Sequence, residues 1–525
     1  MRDFSYPGKS LAFAERGMIA TSHPAASIVG LDILKQGGTS VDAGIAAIFT
    51  LCVVEPAMVG IGGDCFALYG RPGQKPIALN GSGWAPEAAN PEWYASQGIK
   101  EVGQNSVHAI TIPGLIGGLF KLHQDHGKLE WAKLLQPAIR AAREGYLVTP
   151  RVALDWGRFE GNLRKDPDAA SQFLVSGKAP RVGDRVRNPA LAATLEAIAQ
   201  GGPSAFYRGS IAEKIVAKLN SIGGLHTAAD FEGYSPDYVE PISTDYVGQS
   251  VYECPPNGQG IIALMIMNIL KKRQYKDLAP DERVHFLTEA TKRAYAARDE
   301  VLCDPNHTDV DTDYLLSAEW ADKAYRTIGE QAGVPGVRME EVAHQDTVYL
   351  CVVDGDQNAL SLIGSLFSGF GSCIAVPDTG IMLHNRGWSF RLNPAHPNVI
   401  GPKKRPMHTI IPGLTVKNSK PVMPFGVMGG HYQATGHAAL LANIYDLGMD
   451  VQEASDAPRS FYADGKLTIE RTVDKGIAEK LEKRGHVLDW QLHPIGGCQA
   501  IQIDHDRGIL IGASDCRKDG FAVGH

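Results

Sequence analysis

The sequence predicts a layered α+β protein, and three observations carry that prediction. Helical periodicity dominates from about residue 107 to 345, and short strand-like runs separated by Gly, Pro and Asn turns take over from residue 347. At 525 residues the chain exceeds the roughly 250–300 residues that a single core holds, so one large layered unit or two lobes is expected. Its 58 glycines point to many tight turns and close backbone approaches.

Ser22-His23-Pro24 precedes Ala25, Ile28, Val29 and Ile33 at helical spacing, and Gly37-Gly38 closes the run. A polar cap, an early proline and a terminal glycine define that helix. A second helix carries Val41, Ile45, Ile48, Phe49 and Cys52 on one face and is apolar nearly all round, so it is expected to be buried. Gly60-Ile61-Gly62-Gly63 leads into a strand over Cys65 to Tyr69. Further helices are predicted over 129–144, 189–200, 211–221, 260–271 and 284–302. Thr347 opens a strand that runs to Asp354, a turn follows at Gly355 to Asn358, and a second apolar run spans Ala359 to Phe367. Two more helices are expected near 434–447 and 475–484, and Gly508 to Asp515 reads as a strand and turn. No internal repeat is visible, and the change of pattern near residue 346 is the main organisational boundary.

Composition excludes several classes of function. The net charge of −7 comes from 51 basic and 58 acidic residues with no long block of either sign, which gives no support for nucleic-acid or membrane binding. Met1 to Ser10 lacks an apolar stretch of the secretory type. The longest uncharged apolar run, Ala43 to Val54, is shorter than the ~20 residues that cross a bilayer. Eight cysteines are scattered without CxxC spacing, so a reduced, cytoplasmic protein without metal or other cofactor is expected. HExxH, GxSxG, Walker-type and complete GxGxxG motifs are all missing, which argues against zinc proteases, α/β-hydrolases and nucleotide binders.

Thr347 stands at the head of its strand, just after His344-Gln345-Asp346, and a glycine pair lies downstream in Gly426-Val427-Met428-Gly429-Gly430-His431. Alone, Thr347 is an ordinary β-branched strand residue and Gly429-Gly430 an ordinary turn. Together they are the minimum equipment of an N-terminal-nucleophile hydrolase: a hydroxyl that self-cleavage can free, and backbone amides able to face an oxyanion.

Wider motifs support that reading. They include Met18-Ile-Ala-Thr-Ser-His-Pro-Ala-Ala-Ser, Gly37-Gly38-Thr39-Ser40-Val41-Asp42-Ala43 and Glu55-Pro56 followed by Gly60-Ile61-Gly62-Gly63. In the middle stand Pro255-Pro256-Asn257-Gly258-Gln259-Gly260 and Ala294-Tyr295-Ala296-Ala297-Arg298-Asp299, followed by Asp304-Pro305. Towards the end come Asp346-Thr347, Phe370-Gly371, Gly401-Pro402-Lys403-Lys404-Arg405-Pro406, Gly429-Gly430 and Gly512-Ala513-Ser514-Asp515. In this order they resemble the γ-glutamyltranspeptidase family over nearly the whole chain. The resemblance implies an αββα sandwich built by a helix-rich large chain, 1–346, and a small chain, 347–525, after cleavage between Asp346 and Thr347. It implies Thr347 as nucleophile, Ser365 as the hydroxyl that supports it, and Gly429 and Gly430 as oxyanion donors. The partners it implies are the two chains of one precursor and a small-molecule amide, with further pairing of the heterodimer into a homo-oligomer left open.

The departures from the family pattern bear on the substrate. Ser82 stands where the family's carboxylate-gripping arginine is expected, and Trp388-Ser389 where its acidic, amine-binding residue is expected. His408 and Thr409 replace the family's paired serines, and Arg386 replaces a polar glutamine. Loss of both clamps removes two charge-assisted contacts of about 1.5–3 kcal/mol each. The expected substrate is therefore a small carboxylate-bearing amide held by Arg386 and His408, with Thr409 and Ser82 lining the site. Hydrolysis of oxamate to oxalate and ammonia is favoured. Glutathione hydrolase or transferase activity with an altered clamp, acylase activity on larger side chains, and an unprocessed, inactive binding protein are the alternatives.

Overall fold

The computed structural model describes residues 8–333 and 347–525. Asp346, on the proposed cleaved side of the Asp346–Thr347 bond, lies outside the described residues. Two seven-stranded sheets stack face to face with helices on both outer surfaces, so the fold is an αββα sandwich. In one sheet the order is Ala12–Ala14, Ile509–Ser514, Gly497–Asp504, Lys420–Met428, Gly413–Lys417, Gln249–Glu253 and Ile242–Tyr246. The other runs Ala522–Gly524, Met18–Ala20, Val348–Val353, Ala359–Ser365, Asp64–Gly70, Ile77–Gly81 and Asp237–Val239.

The layer between the sheets is packed by Phe66, Leu68, Tyr349, Cys351, Ile363, Leu414, Met428 and Ile501. Helices Pro24–Lys35, Ser40–Val54 and Leu115–His126 cover the sheet that contains Thr347's strand. Gly260–Leu270, Pro280–Val301 and Tyr432–Tyr445 cover the opposite sheet. Every residue of Ser40–Val54 is buried, as its all-round apolar surface predicts. Among the described residues no helix is long and apolar enough to cross a membrane.

The predicted helices fall within a few residues of Trp131–Glu144, Pro189–Gly201, Ser210–Ser221, Gly260–Leu270, Pro280–Val301, Tyr432–Tyr445 and Lys475–Lys483. The stretch read as mainly helical also contains three strands between 237 and 253 that extend the edges of both sheets. Ile242–Tyr246 and Gln249–Glu253 form a hairpin around Val247 and Gly248, both at positive φ (51° and 75°), a turn that favours tight pairing of twisted strands. Strands from before and after residue 346 pair with one another within both sheets, so the proposed large and small chains share each sheet rather than forming separate lobes.

Candidate active site

Val348–Val353 is a run of β-branched, aromatic and apolar residues, buried throughout, with strands on both sides. Its register with Ala359–Ser365 pairs Val348 with Gly364. One step further along, the hydroxyls of Thr347 and Ser365 meet at 3.2 Å, both buried. The Ser365 oxygen also accepts the Phe367 N–H at 2.8 Å. On its other side Ser365 is registered with Asp64. Gly63 makes that closeness possible: a Cβ there would sit 2.4 Å from the Ser365 carbonyl oxygen.

The glycine pair reaches the same end of the sandwich from the opposite sheet. The Phe425 carbonyl accepts from the Ser361 hydroxyl at 3.4 Å, and the next residue, Gly426, lies under the ring of Tyr349, which is registered with Ile363. Lys420–Met428 therefore advances in the same direction as Ala359–Ser365 and ends towards Ser365 and Thr347. Gly429 (φ 127°) and Gly430 (φ 57°) turn the chain there into helix Tyr432–Tyr445. Two successive positive-φ residues ahead of a helix orient backbone N–H groups in a way suited to an anion.

A third group lies beside these two. Asp64 Oδ2 is 3.1 Å from His384 Nδ1, 3.1 Å from His408 Nε2 and 3.9 Å from Arg386 Nε. Its Oδ1 accepts the N–H groups of Gly83 at 3.3 Å and Gly114 at 3.2 Å. Burial pushes the Asp64 carboxyl up, but His384 and His408 outweigh that and hold it well below the usual carboxylate range. His408 is held down to about 3 by burial and by the Arg386 charge, so it is neutral at pH 7. Its Nε2–H donates to Asp64, and its Nδ1 accepts the Ile410 N–H at 3.4 Å.

Arg386 is fully buried, and burial lowers its guanidinium to about 9 against the opposing pull of Asp64. It stays charged at neutral pH. Its Nη1 donates to Thr409 Oγ1 at 3.0 Å, and the guanidinium carbon lies 3.9 Å from the centre of the Phe367 ring. Its Nε and Nη2 have no hydrogen-bond acceptor among the described residues. A buried cation that keeps open donors costs stability unless a ligand completes it, which marks Arg386 as a candidate anion-binding residue.

The candidates thus form two neighbouring groups. Thr347 and Ser365 meet at one strand end, the end towards which the strand leading into the Gly429–Gly430 turn also runs. Arg386 and Thr409 adjoin them through Phe367, with His408 behind, holding Asp64 rather than facing open space. Ser82 is also engaged: its hydroxyl donates to the Gly83 carbonyl at 3.3 Å and accepts from Asn257 Nδ2 at 3.2 Å. The Ser389 hydroxyl donates to the carbonyls of Arg386 and Met407, at 3.1 and 2.7 Å. A cavity of about 340 Å³ opens alongside, lined by Phe367, Trp388, Met407, Arg298, His431 and neighbouring residues.

Sequence reasoning missed Asp64 and His384. The available signal was a carboxylate heading the buried strand Asp64–Gly70, a position that demands partners. Elsewhere, His285, Glu289 and His486 are close enough to share a metal ion. Both Glu289 oxygens are already held there by Lys292 and Arg293, and His285 Nδ1 is bonded to His486, so the cluster is satisfied internally.

Comparison with known proteins agrees with this architecture. The family model described as Gamma-glutamyltranspeptidase matches residues 26–525. The chain is 35% identical to the glutathione hydrolase-like YwrD proenzyme of Bacillus subtilis, over 97% of this chain and 98% of that protein. It is 34% identical to the oxamate amidohydrolase proenzyme of Klebsiella pneumoniae, again over 97% and 98%. A crystal structure of cephalosporin acylase from Bacillus halodurans superposes with a TM-score of 0.94 at 39% identity, covering 100% of this chain and 99% of that one. With the sandwich and a threonine at the head of its central strand, these matches show that the chain belongs to the gamma-glutamyltranspeptidase family of autoprocessed, amide-hydrolysing N-terminal-nucleophile enzymes.

Proposed function

We propose that self-cleavage between Asp346 and Thr347 yields chains 1–346 and 347–525, and that Thr347 then hydrolyses a small amide bearing a carboxylate, oxamate being the favoured substrate. The observation that carries this reading is the buried Arg386 guanidinium with two open donors on Phe367, the residue whose N–H is bonded to Ser365.

A threonine hydroxyl is a weak nucleophile until its proton is taken. The α-amino group that cleavage frees has a reference pKa of about 7.7–8.0, suited to act as that base. In the precursor the same nitrogen is an amide and cannot. Arg386 and the Thr409 hydroxyl hold the substrate carboxylate, while His408 acts indirectly by fixing Asp64 behind them. Thr347 Oγ1 attacks the amide carbonyl, and the Gly429 and Gly430 N–H groups receive the oxyanion, a contribution of about 2.7–4 kcal/mol per donor in other hydrolases. Collapse expels ammonia with the proton from the α-amino group. Water, deprotonated by the same amine, then releases oxalate.

The 34% identity to a protein named for oxamate hydrolysis supports this choice. A second reading, acylase activity on a larger side chain, draws support from the adjoining cavity of about 340 Å³ and the likeness to a cephalosporin acylase. Eight free cysteines, seven of them buried, agree with a reduced, cytoplasmic setting.

The test is product release from two substrates side by side: ammonia from oxamate and anilide from a γ-glutamyl anilide. Ammonia without anilide is expected; anilide without ammonia refutes the small-acid assignment. Thr347→Ala is expected to remain one uncleaved, inactive chain of 56.5 kDa, and a cleaved, active variant would remove Thr347 from its role.

A further inference from the structure

Gln259 caps helix Gly260–Leu270 and is fully buried. Its side-chain Nε2 gives both of its N–H donors to the two groups of the site. Nε2 donates to the Thr409 carbonyl at 2.8 Å and to the Gly430 carbonyl at 3.1 Å. Oε1 accepts from Arg298 Nη1 at 3.2 Å, which fixes which end of the amide is which. The Gln259 backbone N–H donates to the His408 carbonyl at 2.8 Å.

The three carbonyls held in this way belong to three different parts of the site. Thr409 carries the hydroxyl bonded to Arg386, His408 carries the ring bonded to Asp64, and Gly430 is the second glycine of the turn. The arrangement is anchored from behind: Arg298 Nη1 also bonds His431 Nδ1 at 2.7 Å, and the Tyr295 hydroxyl donates to the His431 carbonyl. Only an amide offers two donors on one atom and an acceptor on the other at this length. A carboxylate would set oxygen against the Thr409 and Gly430 carbonyls, and a thioether would make neither bond.

We propose that Gln259 is a positioning residue that locks the Arg386 anion grip and the Gly429–Gly430 turn into one register. The proposal rests on the roles given above to those two groups. A substrate carboxylate seated on Arg386 then fixes its amide carbonyl against the turn, because one side chain holds both ends of the cradle. Gln259 touches neither substrate nor reacting atoms and acts through Thr409 and Gly430.

The test uses processed enzyme, normalised to the active sites counted by the acyl-enzyme burst. Gln259→Met is expected to lower kcat about 10- to 100-fold through misplacement of the turn and to raise the oxamate KM about fivefold through loosening of the grip. In a double-mutant cycle, the KM effects of Gln259→Met and Arg386→Met are expected to be less than additive, since Gln259 reaches the carboxylate through Arg386. Additive KM effects, or a Gln259→Met enzyme with wild-type kcat and KM, overturn the proposal. Gln259→Glu, which keeps the length and the Arg298 contact, serves if the methionine variant does not fold, and the same losses are expected. If wild-type enzyme cleaves only the γ-glutamyl anilide, the oxamate assignment fails, and the same kcat and KM measurements on the anilide still decide the role of Gln259.

Discussion

Two buried charge clusters in this molecule differ in one respect, and the difference separates scaffold from site. Against the start of strand Gly497–Asp504, Arg459 and Arg517 face Asp515 and Glu470. Arg459 donates to the carbonyls of Ile495 and Ser455 and to Asp515, while Arg517 reaches both oxygens of Glu470 as well as Asp515. Asp515 is held below its ordinary range because those arginines outweigh its burial. Every charge there has a partner of opposite sign. In the second cluster, by contrast, Arg386 has one good acceptor, a carboxylate 3.9 Å away and two nitrogens without an acceptor among the described residues. Its guanidinium is lowered by burial, whereas Arg459 is raised once its anionic neighbours are set against burial. A completed cluster holds the fold together; an incomplete one marks where a ligand belongs.

Substitutions sharpen that contrast. The largest loss of stability is expected from Arg459→Met, which takes from the buried Asp515 one of its two arginine partners and removes the Arg459 donors from the carbonyls of Ile495 and Ser455; breaking such a buried pair costs up to about 3–5 kcal/mol. Thermal or urea unfolding would show the drop, while the KM of the surviving folded enzyme stays at the wild-type value. Arg386→Met should do the reverse. Asp64 keeps two histidines and two backbone N–H donors, so Tm stays near wild type. The KM for a carboxylate-bearing amide should rise about 10- to 100-fold, the equivalent of one charge-assisted contact. A large Tm loss in Arg386→Met with unchanged KM would erase the distinction.

Acid should affect the protein through its buried neutral histidines. His23, His226 and His486 are held down to about 4, and His408 to about 3, by burial. Between the ordinary histidine value near 6.5 and these depressed values, the unfolded chain binds the extra protons. Stability therefore falls as pH drops through that window, by up to about 1.4 kcal/mol per pH unit for each histidine. Glu55, raised to about 7 by burial, runs the opposite way above its ordinary value near 4.5 and offsets about one histidine. Urea midpoints measured from pH 7 to pH 4 should decline, and His408→Gln should make the decline shallower.

What the sequence showed depended on how far apart the cooperating residues lie. The helices of the first part and the Thr347 strand were legible because their periodicity and caps are local. Thr347 and the Gly429–Gly430 pair stood out only through the ordered motifs around them. Asp64 was not legible, since its partners His384 and His408 lie 320 and 344 positions further on and no spacing rule links them. The strands of 237–253 were hidden for a related reason: Asp237–Val239 and Ile242–Tyr246 are partly exposed edge strands, and all three, Gln249–Glu253 included, are short and rich in polar residues, with little apolar signal of their own. Arg386 was visible as a departure from the family pattern, but its open donors are a property of its neighbours and not of its position.

The most direct test of the account is calorimetric titration of processed wild-type and Arg386→Met enzyme with oxalate, the product that would sit on the guanidinium. The account predicts that the wild-type enzyme binds oxalate and that the variant loses at least about tenfold in affinity while remaining folded. Equal affinity in the two proteins would contradict it and leave Arg386 as one more buried cation of the scaffold.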